Sequence, residues 1–432
     1  MNQSLYSALV ASISRYGILK DVLLSVQTPR LMLLAGILGC LALTAGCKSK
    51  NSVIAGLVDR PAESLNTTTT PEPPPGVTDA PQTPLPSVVS PKPDVVTSIT
   101  IAAVGDIMLG TNYPDAKTLP APGTELFGNI ATFIKSADIA FGNLEGTILD
   151  QGGELKKCGK TEVCYRFRQP ESLATQLKKT GFDVLSLANN HSGDFGPTGQ
   201  RNTTKVLESL GIDHAGLAAK PYTIIEKNGL KIGICAFAPN KGTADLNNLK
   251  GILKVVRGLS KRTDIVIFSM HAGGEGSNYR RVKPGPEKYL GENRGDVLKI
   301  AHAVVDNGAD LVIGHGPHVT RGMELYKNRF IAYSLGNFCT TNKVSLAGYN
   351  GIAPLLTVTL TRDGAFQHGD ILATRQAAGV GPTVDDAGKA IREVEALSKL
   401  DFPKSPLRID PDGVLHNGKA MAAVKPEPPT KP

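Results

Sequence analysis

Six short polar signatures punctuate this sequence, each at the end of a short apolar run: Gly105-Asp106, Asn143-Leu144-Glu145, Asn189-Asn190-His191, His271 with Glu275, His315-Gly316-Pro317-His318, and Gly336-Asn337. Carboxylate, imidazole and amide oxygen together form the ligand set of a hard to borderline divalent metal such as Mn, Fe or Zn. Two such ions in one site clamp an in-line displacement and draw the pKa of a bound water towards ~7. Singly, each signature is ordinary: His271 reads as a hydrogen-bonded core histidine and Asp106 as a turn cap. Their recurrence at successive strand ends points to one shared site. The central signature has a further property. Asp194 lies three residues after His191 and could hold its imidazole in one tautomer.

The elements that must position these residues alternate strand with helix. Strands are expected over 98–104, 138–141 and 182–188, followed later by 264–270 and 310–313. Helices are expected over 125–136, 171–180, 198–210, 295–307 and 384–399. Gly181, Gly211 and Gly308 stand where helices end. Three hairpins are signalled: 222–226 with 230–237 across Lys227-Asn228-Gly229, 323–326 with 330–334 across Lys327-Asn328, and 354–360 with 365–373 across Asp363-Gly364. Such alternation favours a layered α/β sheet, in which ligands sit beyond the C-terminal strand ends.

The chain has 432 residues, formal charge +8, 41% hydrophobic residues and no Trp. Half of that charge lies in the first 50 residues, where Arg15, Lys20, Arg30, Lys48 and Lys50 face only Asp21. The rest has no basic block or aromatic-interleaved basic stripe, so no nucleic-acid partner is expected. Residues 1–47 read as a lipoprotein signal peptide. Arg30 precedes the apolar run Leu31–Leu43, and Leu43-Thr44-Ala45-Gly46-Cys47 resembles a bacterial lipobox with Cys47 as the lipidated residue. Residues 48–97 are a Pro/Thr-rich linker that cannot bury a core. The folded body is expected over 98–400, with a Pro-rich C-terminal tail over 401–432. An exported, lipid-anchored location on the cell envelope follows. In that compartment Cys158 and Cys164 could pair across a polar loop, while Cys235 and Cys339 read as inert core thiols.

The stretches GDIMLG, NLEGTI, ANNHSGDFG, GADLVIGHGPHV and FIAYSLGNF occur in this order over about 98–375. Together they resemble the CapA family of poly-γ-glutamate capsule biosynthesis proteins, which is related to the calcineurin-like metallophosphoesterases. The resemblance implies an α/β fold, a four-layer α/β/β/α sandwich of the metallophosphoesterase type. It implies a site for one or two divalent metal ions held by Asp106, Glu145, Asn190, His271 and His315, with His318 as a further ligand. It implies that His191, with Asp194, protonates a leaving group. Two residues depart from the wider pattern. Met108 stands where metallophosphoesterases carry the His of Asp-x-His, and Gly316 replaces the middle His of GHHPH.

Three functions compete at this level. The first is an accessory for synthesis, transport or anchoring of a poly-γ-glutamate-type polymer, with metal-dependent hydrolase activity and polymer-synthesis membrane proteins as partners. The second is a periplasmic metallophosphoesterase acting on phosphoesters. The third is a non-catalytic polymer-binding module in which Arg166, Arg168, Arg280, Arg281 and Lys283 hold carboxylates.

Overall fold

Strand β1 (Ser98–Met108) sets the frame of the molecule. Its first half alternates: Ile99, Ile101 and Ala103 point into one apolar cluster. Val104 and Ile107 then point into another. The switch coincides with a register break against the neighbouring strand between Ala103 and Asp106. A bulge of this kind re-aims the side chain that follows it, here Asp106. Gly105 makes the bulge possible, because a Cβ there would lie 2.0 Å from the Gly336 carbonyl oxygen. The computed structural model describes residues 98–158, 164–341, 344–377 and 379–419. The signal, Cys47, the linker and the tail beyond 419 lie outside the described residues.

The strands that follow are β2 (Ile139–Leu144), β3 (Val184–Ser186), β4 (Asp213–Ala215) and β5 (Tyr222–Lys227). Then come β6 (Leu230–Phe237), β7 (Ile265–His271), β8 (Leu311–His315), β9 (Met323–Tyr326) and β10 (Arg329–Ala332). The last six are β11 (Asn337–Thr340), β12 (Ile352–Thr361), β13 (Phe366–Ala377), β14 (Gly381–Val384), β15 (Leu407–Ile409) and β16 (Val414–Asn417). One sheet of ten strands runs β15-β16-β13-β12-β1-β2-β3-β4, with β11 on β1 and β14 on β13. A second sheet of six runs β9-β10-β8-β7-β6-β5.

Period-2 alternation explains the layers. On β7, Ile265 and Ile267 meet Ile101 and Phe141 of the first sheet between the two sheets. Val266, Phe268 and Met270 face outward, onto α4 (Leu249–Ser260) and α5 (Val297–Val305). The outer face of the first sheet is covered by α1 (Ile130–Lys135), α2 (Glu171–Thr180) and α3 (Gly196–Ser209). The result is the expected four-layer α/β/β/α sandwich, closed at one end by α6 (Lys389–Asp401).

Three expectations need correction. Helix α4 was not foreseen; Gly251 and Gly258 interrupt its pattern, although Ile252, Val256 and Leu259 are buried on one face. The helix expected over 125–136 is helical only from Ile130, after a turn at Gly128. The Pro-rich tail expected from 401 is folded in its first part. β16 pairs with β13, through Gly369 with Leu415, and β15 pairs with β16. Pro403, Pro406 and Pro411 mask these strands in the sequence, yet Pro411-Asp412-Gly413 is the turn that joins them.

Candidate metal centre

The parallel strands deliver their C-terminal ends to one place. Asp106 stands in register with Asn143 of β2 and with Asn337 of β11. In the second sheet His315 stands in register with His271. Asn143 Nδ2 donates to Asp106 Oδ1 at 2.8 Å and lies 3.3 Å from His271 Nδ1, so one amide touches residues of both sheets. Its Oδ1 accepts from Asn189 Nδ2 at 3.1 Å. His318 enters from the loop after β8 with its backbone in the left-handed region, φ +58°. Its Nδ1 is 3.0 Å from Asp106 Oδ2, and its Nε2 is 3.7 Å from Glu145 Oε1 and 3.9 Å from Glu275 Oε2. Ligand atoms of Glu145, His271 and His318 lie within 4.8 Å of one another.

Three carboxylates therefore surround one imidazole. Burial alone would lower the pKa of His318, but Glu145, Asp106 and Glu275 outweigh it and hold it up at about 10. For Asp106, burial pushes upward, and the charge and hydrogen bond of His318 win, drawing it down to about 2. Burial pushes Glu145 up to about 8; His318 opposes this, and repulsion from Asp106 and Glu275 adds to it. Glu275 is also paired with Arg294, Nη2 to Oε1 at 2.9 Å. The cluster also carries buried polar atoms with no hydrogen-bond partner among the described residues: Glu145 Oε1, Asn190 Oδ1, His271 Nε2, His315 Nδ1 and Asn337 Oδ1. Buried polar atoms without a partner are costly, and a cation among Glu145, His271 and His318 would satisfy those within its reach. On this test the residues fit a divalent ion.

His191 lies beside this cluster. Its Nδ1 is 2.7 Å from Asp194 Oδ2, and its Nε2 is 3.9 Å from Glu145 Oε1. The Phe167 ring packs on it with centroids 4.2 Å apart. Burial lowers the pKa of His191 although Asp194 pulls it upward. Asp194 is pushed up by burial, yet ends below the usual carboxylate range because of His191 and Lys156. It also accepts from the Phe167 N–H at 2.8 Å. The expected His191–Asp194 pair is thus present, with Nδ1 on the carboxylate and Nε2 towards the cluster.

Lys156 was not foreseen. Its Nζ donates to Asp194 Oδ1 at 2.7 Å and to the Asn190 carbonyl at 2.9 Å. Two residues after Lys156, Cys158 forms the expected disulfide with Cys164, with Cα atoms 5.8 Å apart. No motif announces a lysine in this role. Asn189 was passed over in favour of Asn190, and the two divide the work. Asn189 builds the turn, bonding Asn143 and the Leu144 carbonyl, while Asn190 keeps a buried, unpartnered Oδ1.

The two departures have structural consequences. Met108 directs its sulfur to Thr341 Oγ1, 4.0 Å away, and supplies no nitrogen ligand. Gly316 has φ +112°, and a Cβ would fall 2.7 Å from the Ala272 nitrogen, so a His there would not fit this backbone. Four of the five cations expected to hold carboxylates are committed within the chain. Arg166 bonds the Lys156 carbonyl, Arg168 bonds Asn112, Arg280 pairs with Glu393 and Arg281 pairs with Asp401. Lys283 is exposed.

Residues 100–342 match the family model described as bacterial capsule synthesis protein PGA_cap. The chain belongs to the PGA_cap family. The match covers all the strand ends from Asp106 to Asn337. This PGA_cap chain is 30% identical over 260 residues to the capsule biosynthesis protein CapA of Bacillus anthracis, covering 56% of this chain and 59% of that one. It is 28% identical over 251 residues to the PGA biosynthesis protein CapA of Bacillus subtilis, covering 54% and 61%. The matched segment thus spans about three fifths of either relative's length. Among solved structures, a phosphatase from Mycoplasma pneumoniae is 13% identical with TM-score 0.41, covering 66% of this chain and 96% of that one. A 5'-nucleotidase precursor from Thermus thermophilus is 15% identical with TM-score 0.37, covering 64% and 54%. These last likenesses are too loose to bear on activity.

Proposed function

We propose that this PGA_cap protein is an exported, lipid-anchored accessory for a poly-γ-glutamate-type capsular polymer, with metal-dependent hydrolysis or transfer at its strand-end centre. The polymer class rests on the relatives, which are capsule and PGA biosynthesis proteins. The chemistry rests on one observation, the group of buried polar atoms that no partner among the described residues reaches. Asp106, Glu145, Asn190, His271, His315 and His318 would hold one or two ions of Mn, Fe or Zn. Such an ion supplies Lewis-acid polarisation of a substrate oxygen.

The remaining work falls to His191. Asp194 accepts from Nδ1–H and so fixes the tautomer, which leaves Nε2 as the atom where a proton is taken or given. Burial keeps the resting imidazole neutral, so Nε2 first offers a lone pair. It becomes the general acid expected from the sequence once it has gained a proton, and the neighbouring Asp194 carboxylate stabilises that cation.

The test separates ligands from the proton carrier. His315→Ala should lower the metal content of purified protein. His191→Ala should keep metal and fold while losing about 10²–10⁴-fold in the chemical step, read in a polymer-production assay and on phosphoester substrates. A folded His191→Ala protein with full activity removes the proton-carrier role. Full polymer production by metal-stripped protein ends the enzymatic account.

A further inference from the structure

A cleft of about 520 Å³ opens between β13, α6 and the loop before β12, lined by Tyr349, Arg375, Gln376, Lys389, Arg392 and Glu393. Two of its walls lead to the strand-end centre. On one side Gln376 Nε2 donates to the Asn337 carbonyl at 2.8 Å, and Gln376 Oε1 accepts from the Thr340 N–H. Asn337 is the register partner of Asp106. On the other side the Arg280 guanidinium lies 3.8 Å over the Tyr349 ring and pairs with Glu393. Arg280 is five residues after Glu275, whose carboxylate faces His318.

The cleft also holds unspent positive charge. Among the described residues no carboxylate pairs with Arg375, Lys389 or Arg392; the Arg392 guanidinium donates to the Ala387 carbonyl. Glu393, the single acid in the lining, is neutralised by Arg280. These three stand around a concavity with no carboxylate partner among the described residues. Guanidinium groups bind carboxylates through paired, charge-assisted hydrogen bonds.

We propose that this cleft is a carboxylate-binding subsite. It holds successive carboxylates of an anionic chain while the adjoining stretch lies at the strand-end centre. The proposal rests on the polymer reading above. It assigns Arg375, Lys389 and Arg392 to holding the chain and gives them no part in the chemistry.

The experiment measures binding of a fluorescently labelled γ-glutamate oligomer to the full-length protein at low salt, with inorganic polyphosphate as a second probe. The double variant Arg375→Ala/Arg392→Ala is expected to bind the oligomer at least about tenfold more weakly, with unchanged metal content and thermal midpoint. Lys254→Ala, which removes an exposed cation on α4, should bind like the parent. Unchanged affinity in the double variant overturns the cleft assignment and leaves the proposed function intact. Polyphosphate bound as tightly as the oligomer and lost to the same degree overturns the carboxylate class. Failure of the metal-loaded parent to bind the oligomer sinks both this subsite and the polymer reading.

Discussion

Around His318 the titrating groups are held far from their ordinary ranges, and that displacement can be measured. In metal-free protein Glu145 carries a pKa of about 8 against an ordinary 4.5, so it binds a proton in the folded state that the unfolded chain has released. His318, at about 10 against 6.5, does the same over a higher range. In both cases the folded state binds more protons, so stability falls as pH rises, from about pH 4.5 to 8 for Glu145 and from about 6.5 to 10 for His318. Asp106 acts the other way: its contribution is present above its ordinary range and is lost only as pH falls towards about 2. Chelator-treated protein should therefore show a falling thermal midpoint between pH 7 and pH 9, above the range in which the neutral buried imidazoles of His191, His271 and His315 act in the opposite sense. Added Mn or Zn should flatten or reverse the slope, since ligands release protons on binding the ion. A metal-free midpoint that rises over that range contradicts this charge balance. At this scale the sequence shows the donors and hides their allies. Glu145, His271 and His318 sit in visible signatures, whereas Lys156 reaches Asp194 from a loop 38 residues away in sequence.

Elements were legible where alternation and turn chemistry agreed. β7 and β8 are continuous apolar runs ending in His, and both form as read. Alternation fails at the β1 bulge, because a register break depends on the neighbouring strand and leaves no local trace beyond Gly105. It fails again at β15 and β16, where prolines conceal short strands that exist because β13 offers them a free edge. Leu407 and Leu415 are buried there, and each such side chain contributes roughly 1.5–3 kcal/mol on burial. Truncation after Asp401 should then lower the thermal midpoint clearly, while truncation after Lys419 should leave it unchanged. Equal midpoints for the two would mean that the C-terminal hairpin adds nothing to the sheet.

At the scale of the whole molecule, the proposed location is tested at Cys47, where the Leu43–Cys47 stretch resembles a lipobox. Cys47→Ala should release the protein from the membrane fraction or leave an uncleaved precursor of greater mass. Unchanged fractionation and unchanged size would refute lipidation. The layered architecture could be read from the strand–helix alternation. The division of strands between two sheets could not, because β1 and β7 have the same apolar character and only pairing decides which neighbours they take.

That division gives the centre a mechanical meaning. Asp106, Asn143 and Glu145 belong to one sheet, and His271 and His315 to the other. An ion seated among them would act as a rivet through two plates otherwise joined by side-chain packing and a few polar contacts such as His315 Nε2 to the Val104 carbonyl. Its loss would be felt first as sliding between the plates, while each stays whole. Amide hydrogen exchange should accordingly slow in β1 and β7 together when the ion binds, although these strands share no hydrogen bond.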